Sequence, residues 1–201
     1  MNRLISKYTR SRVISKLAIY HRMNNVRFFL KTCLEKRPIL TNSLIYGSLC
    51  TISEFSQQTI SKKLSKPIEP YDTASITKFA IYGTGIGGPL IALWYRFLDK
   101  KFPGCSLKIA VKKLAIDQLT FTAGLLVVFY TSMSIMDGKK DIFEECRQKF
   151  IPTYKTSCLF WIPAQLMNFI LVPPIYRVIY IGTCSFVWIN ILCYLKRQKV
   201  E

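Results

Sequence analysis

Charge-free apolar stretches separated by charged connections dominate the chain. Residues 79–93 and 119–136 contain no Lys, Arg, Asp or Glu, whereas lysine and arginine are concentrated in the segments between such stretches. Amphipathic soluble helices instead distribute their charges along one face. The block pattern is therefore typical of a polytopic membrane protein.

Four regions are candidate membrane spans, since ~20 mainly apolar residues are needed to cross a bilayer. They cover residues 39–58, 79–98, 114–136 and 157–195. The fourth is too long for one helix, and Pro173-Pro174 divides it. Either both halves span, or the shorter half, residues 157–172, is tilted or re-entrant. We therefore predict an all-α, polytopic transmembrane helical bundle of about four spans, comprising residues 28–201, with the lipid bilayer as its partner.

The N-terminal segment, residues 1–27, is predicted to be a basic amphipathic extension. The first 34 residues contain eight Lys and Arg and no acid. A helix over residues 3–10 would place Leu4, Ile5 and Tyr8 opposite the cations. An acid-free amphipathic start with Arg and Ser is typical of mitochondrial targeting. A basic helix lying on a membrane surface is the alternative interpretation.

The formal net charge of +18 raises the question of nucleic-acid binding. The cations, however, lie in the connections between apolar runs, and the chain has no direct nucleic-acid motif. Contact with anionic headgroups and topology signals account for basic connections equally well. With four crossings, 19 of the 29 Lys and Arg fall on one side, which favours both termini there.

The sequence indicates neither a cofactor nor a catalytic site. Seven cysteines without a CxxC spacing and one histidine, His21, make a zinc site and a disulfide framework improbable. No nucleophile–base pair or paired carboxylates share a motif. We therefore predict a protein that is not an enzyme and binds neither metal nor cofactor.

A glycine cluster at residues 83–88 formally matches GxGxxG. A dinucleotide site requires a strand before this motif and a βαβ unit around it. Here the motif continues into the apolar segment that begins at Pro89. Gly83 and Gly87, spaced as in GxxxG, instead predict close helix packing.

Polar side chains inside the predicted spans are the candidate functional residues. Ionisable groups at membrane depth are costly unless they are paired or wetted. They would form a polar pathway or gate, or they would only hydrogen-bond neighbouring helices together; both hypotheses stay open. Asp117 has candidate partners in Lys112, Lys113 and Arg177. The predicted polar interior comprises Glu54, Gln58, Asp117, Gln118, Gln165 and Asn168.

Three groups of residues match a family pattern: WIPAQLMNFILVP at residues 161–173, GP with WYRFLD at residues 88–99, and DQ at residues 117–118. On these groups the chain resembles the Mpv-seventeen / peroxisomal-membrane-protein-twenty-two family over about residues 28–196, closest to its second Mpv-seventeen-like branch. Ala123 replaces a family proline, so a kink there is expected to be missing. The signature residues are Gly88, Pro89, Trp94, Tyr95, Asp99, Trp161, Pro163, Phe169, Pro173, Arg177 and Trp188.

The resemblance implies a four-helix protein of the mitochondrial inner membrane or, less often, of the peroxisomal membrane. It implies a channel-like role in mitochondrial homeostasis, through small-solute or nucleotide balance and mitochondrial DNA maintenance. The branch similarity implies an alternative, a membrane-anchored factor for mitochondrial ribosome assembly and translation. The mitochondrial ribosome and a second copy of the chain are the implied partners.

Overall fold

The computed structural model describes residues 28–64, 70–104 and 106–197, and every regular element within these ranges is helical. The all-α prediction is therefore confirmed for this part of the chain. The extension predicted over residues 1–27 lies outside the described residues. Residues 28–36 are helical and belong to a unit separate from the one that begins at Ile39.

Five long helices make up the larger unit. The second and third each contain a six-residue π-helical turn, over Tyr82–Gly87 and Asp117–Thr122 respectively. We number the helices α1 (Pro38–Leu64), α2 (Thr73–Lys101), α3 (Leu107–Met136), α4 (Glu144–Leu171) and α5 (Arg177–Arg197).

Helix boundaries follow the capping and turn residues. Asp72 caps α2 by accepting a hydrogen bond from the Ser75 backbone N at 2.9 Å. Gly104 and Gly138 adopt positive φ, at 104° and 66°, in the connections that follow α2 and α3. Pro173 ends α4, because a proline cannot continue the backbone hydrogen-bond ladder and disfavours helical geometry in the residue before it.

Helix α4 starts well before the candidate span predicted at residues 157–172. It begins at Glu144, spans 28 residues and contains both Pro152 and Pro163. At 1.5 Å per residue it is about 42 Å long, more than a hydrocarbon core requires. Its first turns are too polar for hydropathy to assign them to a span, which is why the sequence places the start too late.

Two of these helices, α2 and α3, are long and apolar enough to cross a membrane by length and composition alone. Helices α1 and α4, of 27 and 28 residues, contain more polar positions, and α5 has 21 residues. This part of the chain therefore has the character of a membrane protein.

Consecutive helices run in alternating directions. On α1 and α2, Gly88 lies against Ser43 and Gly83 against Gly47, so the two helices are antiparallel. The start of α5 meets the end of α4, while Trp188 on α5 lies beside Trp161 on α4, with 6.2 Å between ring centroids. The first turn of α1 and the end of α5 consequently lie at opposite ends of the bundle, unlike the same-side arrangement expected for four crossings.

The glycine cluster packs helices, as the sequence predicts. A Cβ atom added at Gly83 would lie 2.8 Å from the Gly47 Cα, and one added at Gly88 would lie 2.6 Å from the Ser43 Cα. Both contacts are with backbone, which cannot move aside. The glycines therefore allow α1 and α2 to approach more closely than any side chain would permit.

Candidate functional site: a polar network beside a central cavity

All five helices line a cavity of about 70 Å³ inside the bundle. Its wall is mainly aromatic and aliphatic, with Trp161 and Trp188 on α4 and α5 and tyrosines on α1 and α2. Polar groups interrupt this wall on three helices; they are Asp117 and Thr122 on α3, Ser157 and Gln165 on α4, and Ser185 on α5.

Asp117 is held in this wall by neutral hydrogen-bond donors. The Trp94 indole Nε1 donates to its Oδ1 at 2.6 Å, and the Gln165 amide Nε2 donates to its Oδ2 at 2.9 Å. The residue is 1% exposed. Each carboxylate oxygen thus has a donor from a different helix, which ties α2, α3 and α4 together.

Gln165 extends the network from Asp117 in two directions. Its Nε2 also donates to the Tyr95 hydroxyl at 2.5 Å, and its Oε1 accepts a hydrogen bond from the Asn168 Nδ2 at 3.1 Å. The buried Oδ1 of Asn168 and Oγ of Ser157 have no hydrogen-bond partner. Buried polar atoms in folded proteins are almost always satisfied. Of these two residues only Ser157 lines the cavity, so its hydroxyl is the one that a polar molecule in the cavity could reach.

A separate ionic cluster lies at one end of the bundle. Lys113 on α3 donates to the Asp99 Oδ1 at 2.7 Å, and Arg177 on α5 pairs with the same oxygen. Arg177 also donates to the backbone oxygens of Val172 and Phe169, at 3.2 and 3.3 Å. It therefore caps the last turn of α4 and joins α5 to α2.

The expected pairing of Asp117 with a nearby cation is wrong. Lys113 and Arg177 both bond Asp99 instead, and Lys112 lies over the Phe102 ring at 4.8 Å. The i, i+4 spacing of Lys113 and Asp117 permits a pair on one helix, but an acid from α2 is the partner that the fold brings to the lysine.

Glu54 and Gln58 belong to a different polar site, between the end of α1 and the start of α2. Gln58 donates to the Glu54 Oε1 at 2.9 Å and exchanges two hydrogen bonds with the Asp72 backbone. The Ser75 hydroxyl donates to the same Glu54 oxygen at 2.8 Å. These two residues do not line the cavity. The six residues predicted for one polar interior therefore do not form a single site.

Gln118 is buried, but it contributes differently from its neighbour Asp117. Its side-chain oxygen and nitrogen have no hydrogen-bond partner, while its backbone oxygen accepts a hydrogen bond from the Tyr154 hydroxyl at 3.0 Å. That contact fastens the π-helical turn of α3 to α4. Gln118 is not among the residues that line the cavity.

The distant signature residues converge in space. Trp94 meets Asp117, Tyr95 meets Gln165, and Asp99 meets Arg177. Phe169 packs edge-on against Tyr95, with 6.1 Å between ring centroids. From the sequence, Asp117 and Gln165 were predicted as polar interior residues, while Trp94, Tyr95, Asp99 and Phe169 were named only as signature residues. None of these pairwise contacts has a local signal along the chain. Ser157 was not predicted, since a serine in an apolar run is common.

Comparison with known proteins agrees with the resemblance noted from the motifs. Residues 134–193 match the Mpv17 / PMP22 family. An Mpv17-like protein of Xenopus laevis is 37% identical over 83% of this chain and 81% of its own length. PXMP2/4 family protein 4 of Dictyostelium discoideum is 32% identical, over 77% and 84% respectively. Protein sym1 of Aspergillus oryzae is 36% identical, over 77% and 88%. No solved structure matches the chain.

Proposed function

The chain belongs to the Mpv17 / PMP22 family, and from this membership we propose that it is a multi-pass protein of the mitochondrial inner membrane that conducts small solutes. The role is non-enzymatic and supports the solute and nucleotide balance of the organelle. The acid-free, basic character of residues 1–27 supports mitochondrial targeting. The peroxisomal membrane is the alternative location.

The central cavity is the observation that carries this proposal. Helices α1 to α5 all contribute to its wall, so the space lies between the helices of the bundle. Asp117 lies on that wall, and the Ser157 hydroxyl has no protein partner. A space that combines an apolar wall with unsatisfied polar atoms suits water and small polar solutes. Polar residues facing a cavity inside a membrane mark solute pathways.

Narrowing the cavity tests the proposal. Ser157 is 1% exposed and lines the cavity, so the phenyl ring of a Ser157→Phe variant would occupy the space. Leu159, two residues along α4, is 79% exposed, which makes Leu159→Phe a matched control on the outer surface. We expect purified protein in planar bilayers to conduct, Ser157→Phe to lower the single-channel conductance severalfold, and Leu159→Phe to leave it unchanged.

Two results would contradict the proposal. One is a wild-type record indistinguishable from that of an empty bilayer. The other is a normal conductance in Ser157→Phe protein whose thermal unfolding shows that it is folded. Either result would leave the polar network as a device that only holds the helices together. Fractionation of mitochondria, with peroxisomes as the comparison, tests the location separately.

A further inference from the structure

Five exposed cations surround the connection between α2 and α3. We call this surface the basic collar: Arg96, Lys100 and Lys101 at the end of α2, with Lys108 and Lys112 at the start of α3. Across residues 96–113 the only acid is Asp99, and its carboxylate is already shared by Lys113 and Arg177. None of the five collar cations forms an ion pair with another residue that the structure describes.

The collar combines cationic and apolar stripes. Arg96 and Lys100 are four residues apart on α2, and Lys108 and Lys112 are four residues apart on α3, so each pair follows one helix face. Exposed apolar side chains run beside them. Phe97 is 52% exposed, Leu107 63% and Val111 49%.

If the protein is embedded in a membrane as proposed above, the collar lies at the membrane boundary. Among the residues that the structure describes, helices α2 and α3 meet the length and apolarity of a membrane span. The ends of these helices therefore lie where hydrocarbon gives way to headgroups. There the apolar stripes would face acyl chains and the cations would reach the phosphate layer.

We propose that the basic collar is a binding surface for anionic phospholipid headgroups. Five uncompensated cations within about two turns on each helix attract lipids of net negative charge over zwitterionic ones. A nucleic acid or a ribosome would meet the same cations, but it would leave the exposed Phe97, Leu107 and Val111 without an apolar partner. A phospholipid provides a phosphate for the cations and acyl chains for the apolar side chains.

Lipid selectivity can be measured in nanodiscs of defined composition. We expect phosphatidylglycerol to be enriched around the protein over phosphatidylcholine, as read from quenching of tryptophan fluorescence by brominated forms of each lipid. Lys100→Gln with Lys108→Gln should weaken that preference by about fivefold for each lysine, since one cation near an anionic surface contributes on the order of 1 kcal/mol. Salt should weaken the preference of the wild type as well.

The matched control removes the same charge elsewhere. Lys140 and Lys155 are exposed and lie outside the collar, so Lys140→Gln with Lys155→Gln should retain the wild-type preference. Equal loss in both double variants, or no preference in the wild type, would overturn the proposal. So would tighter binding of a ribosomal RNA fragment than of anionic vesicles at the same salt concentration.

Two further measurements distinguish failure of the collar proposal from failure of the proposed membrane location. Inorganic phosphate added to the protein in phosphatidylcholine nanodiscs tests whether a free anion replaces the lipid. If phosphate raises the unfolding temperature of the protein as much as phosphatidylglycerol does, the assignment to a lipid headgroup is overturned. Flotation of the protein with vesicles after carbonate extraction tests embedding alone. Flotation without lipid preference would reject only the collar, whereas failure to float would reject the proposed membrane location itself.

Discussion

At the scale of the residue, Asp99 neutralises two cations that the fold buries almost completely. The side chains of Lys113 and Arg177 are 2% and 3% exposed, and that of Asp99 is 24% exposed. Two cations therefore depend on one carboxylate oxygen at the end of the bundle. Removing one partner of a buried pair leaves an uncompensated charge, which costs more than the pair itself contributes.

Asp99→Asn is accordingly expected to destabilise the protein by about 3–5 kcal/mol. Thermal or denaturant unfolding of the purified protein in one fixed lipid or detergent measures the change. Asp141→Asn is the control, because Asp141 pairs with Arg147 at the surface, where the side chains are 48% and 64% exposed. Little change is expected there. If the two substitutions lower the unfolding free energy equally, the buried cluster stabilises the protein no more than the surface pair does.

Asp117 shows how neutral donors can hold a buried carboxylate. Its two oxygens accept hydrogen bonds from the Trp94 indole and the Gln165 amide. The sequence predicts that this acid lies at membrane depth, and burial confirms that it is enclosed. Its partners come from α2 and α4, 23 and 48 residues away along the chain. Helix periodicity carries no information on such contacts, so its pairing could not be predicted locally.

At the scale of the element, the glycines of the α1–α2 contact determine how closely two helices approach. Gly88 faces the Ser43 backbone, whereas a Cβ atom added at Gly85, in the π-helical turn, would have nothing within 4 Å. The GxGxxG cluster thus contains both a packing glycine and an open one.

Gly88→Ala is expected to destabilise the bundle by about 1–3 kcal/mol, since the new methyl group would overlap the Ser43 backbone. The matched Gly85→Ala substitution should be neutral or slightly stabilising, because alanine favours helix over glycine. Unfolding of both variants under identical conditions tests the pair. A Gly88→Ala protein as stable as wild type would mean that α1 and α2 move apart with no loss of unfolding free energy.

The π-helical turn over Asp117–Thr122 is a second element-scale feature. The missing family proline at Ala123 led us to expect a regular helix in this region. The helix is irregular nonetheless, and the extra residue per turn occurs where Asp117 and Thr122 face the cavity. Such turns interrupt the regular ladder and are frequent at functional sites. Tertiary contacts of Asp117, rather than a proline, accompany this irregularity.

At the scale of the whole molecule, the alternating directions of five helices have a consequence for membrane topology. The α2–α3 connection lies at the same end as the start of α5, because Arg177 bonds Asp99. Lys78 at the start of α2 pairs with Asp137 at the end of α3 at 2.5 Å, which marks the opposite end. The end of α5 points toward that second end.

If α3, α4 and α5 each cross the membrane, a tag placed after α5 and a tag inserted in the α2–α3 connection will lie on opposite sides of it. Protease digestion of sealed vesicles, with and without detergent, would show one tag cleaved and the other protected. Four crossings would place both tags on one side. Joint protection or joint cleavage would show that α3, α4 and α5 do not all cross the membrane.

The sequence by itself determined the helical class, the membrane character and the family, because these depend on apolar run length, segregation of charge and short motifs. It also identified six buried polar residues, Glu54, Gln58, Asp117, Gln118, Gln165 and Asn168. Only the tertiary structure decided which of them meet: Asp117, Gln165 and Asn168 form one network, while Glu54 and Gln58 form another. It also decided that Asp99 receives both cations and that Ser157 faces a cavity. Such pairings are long-range and depend on helix direction and close packing, which residue spacing along one helix does not encode.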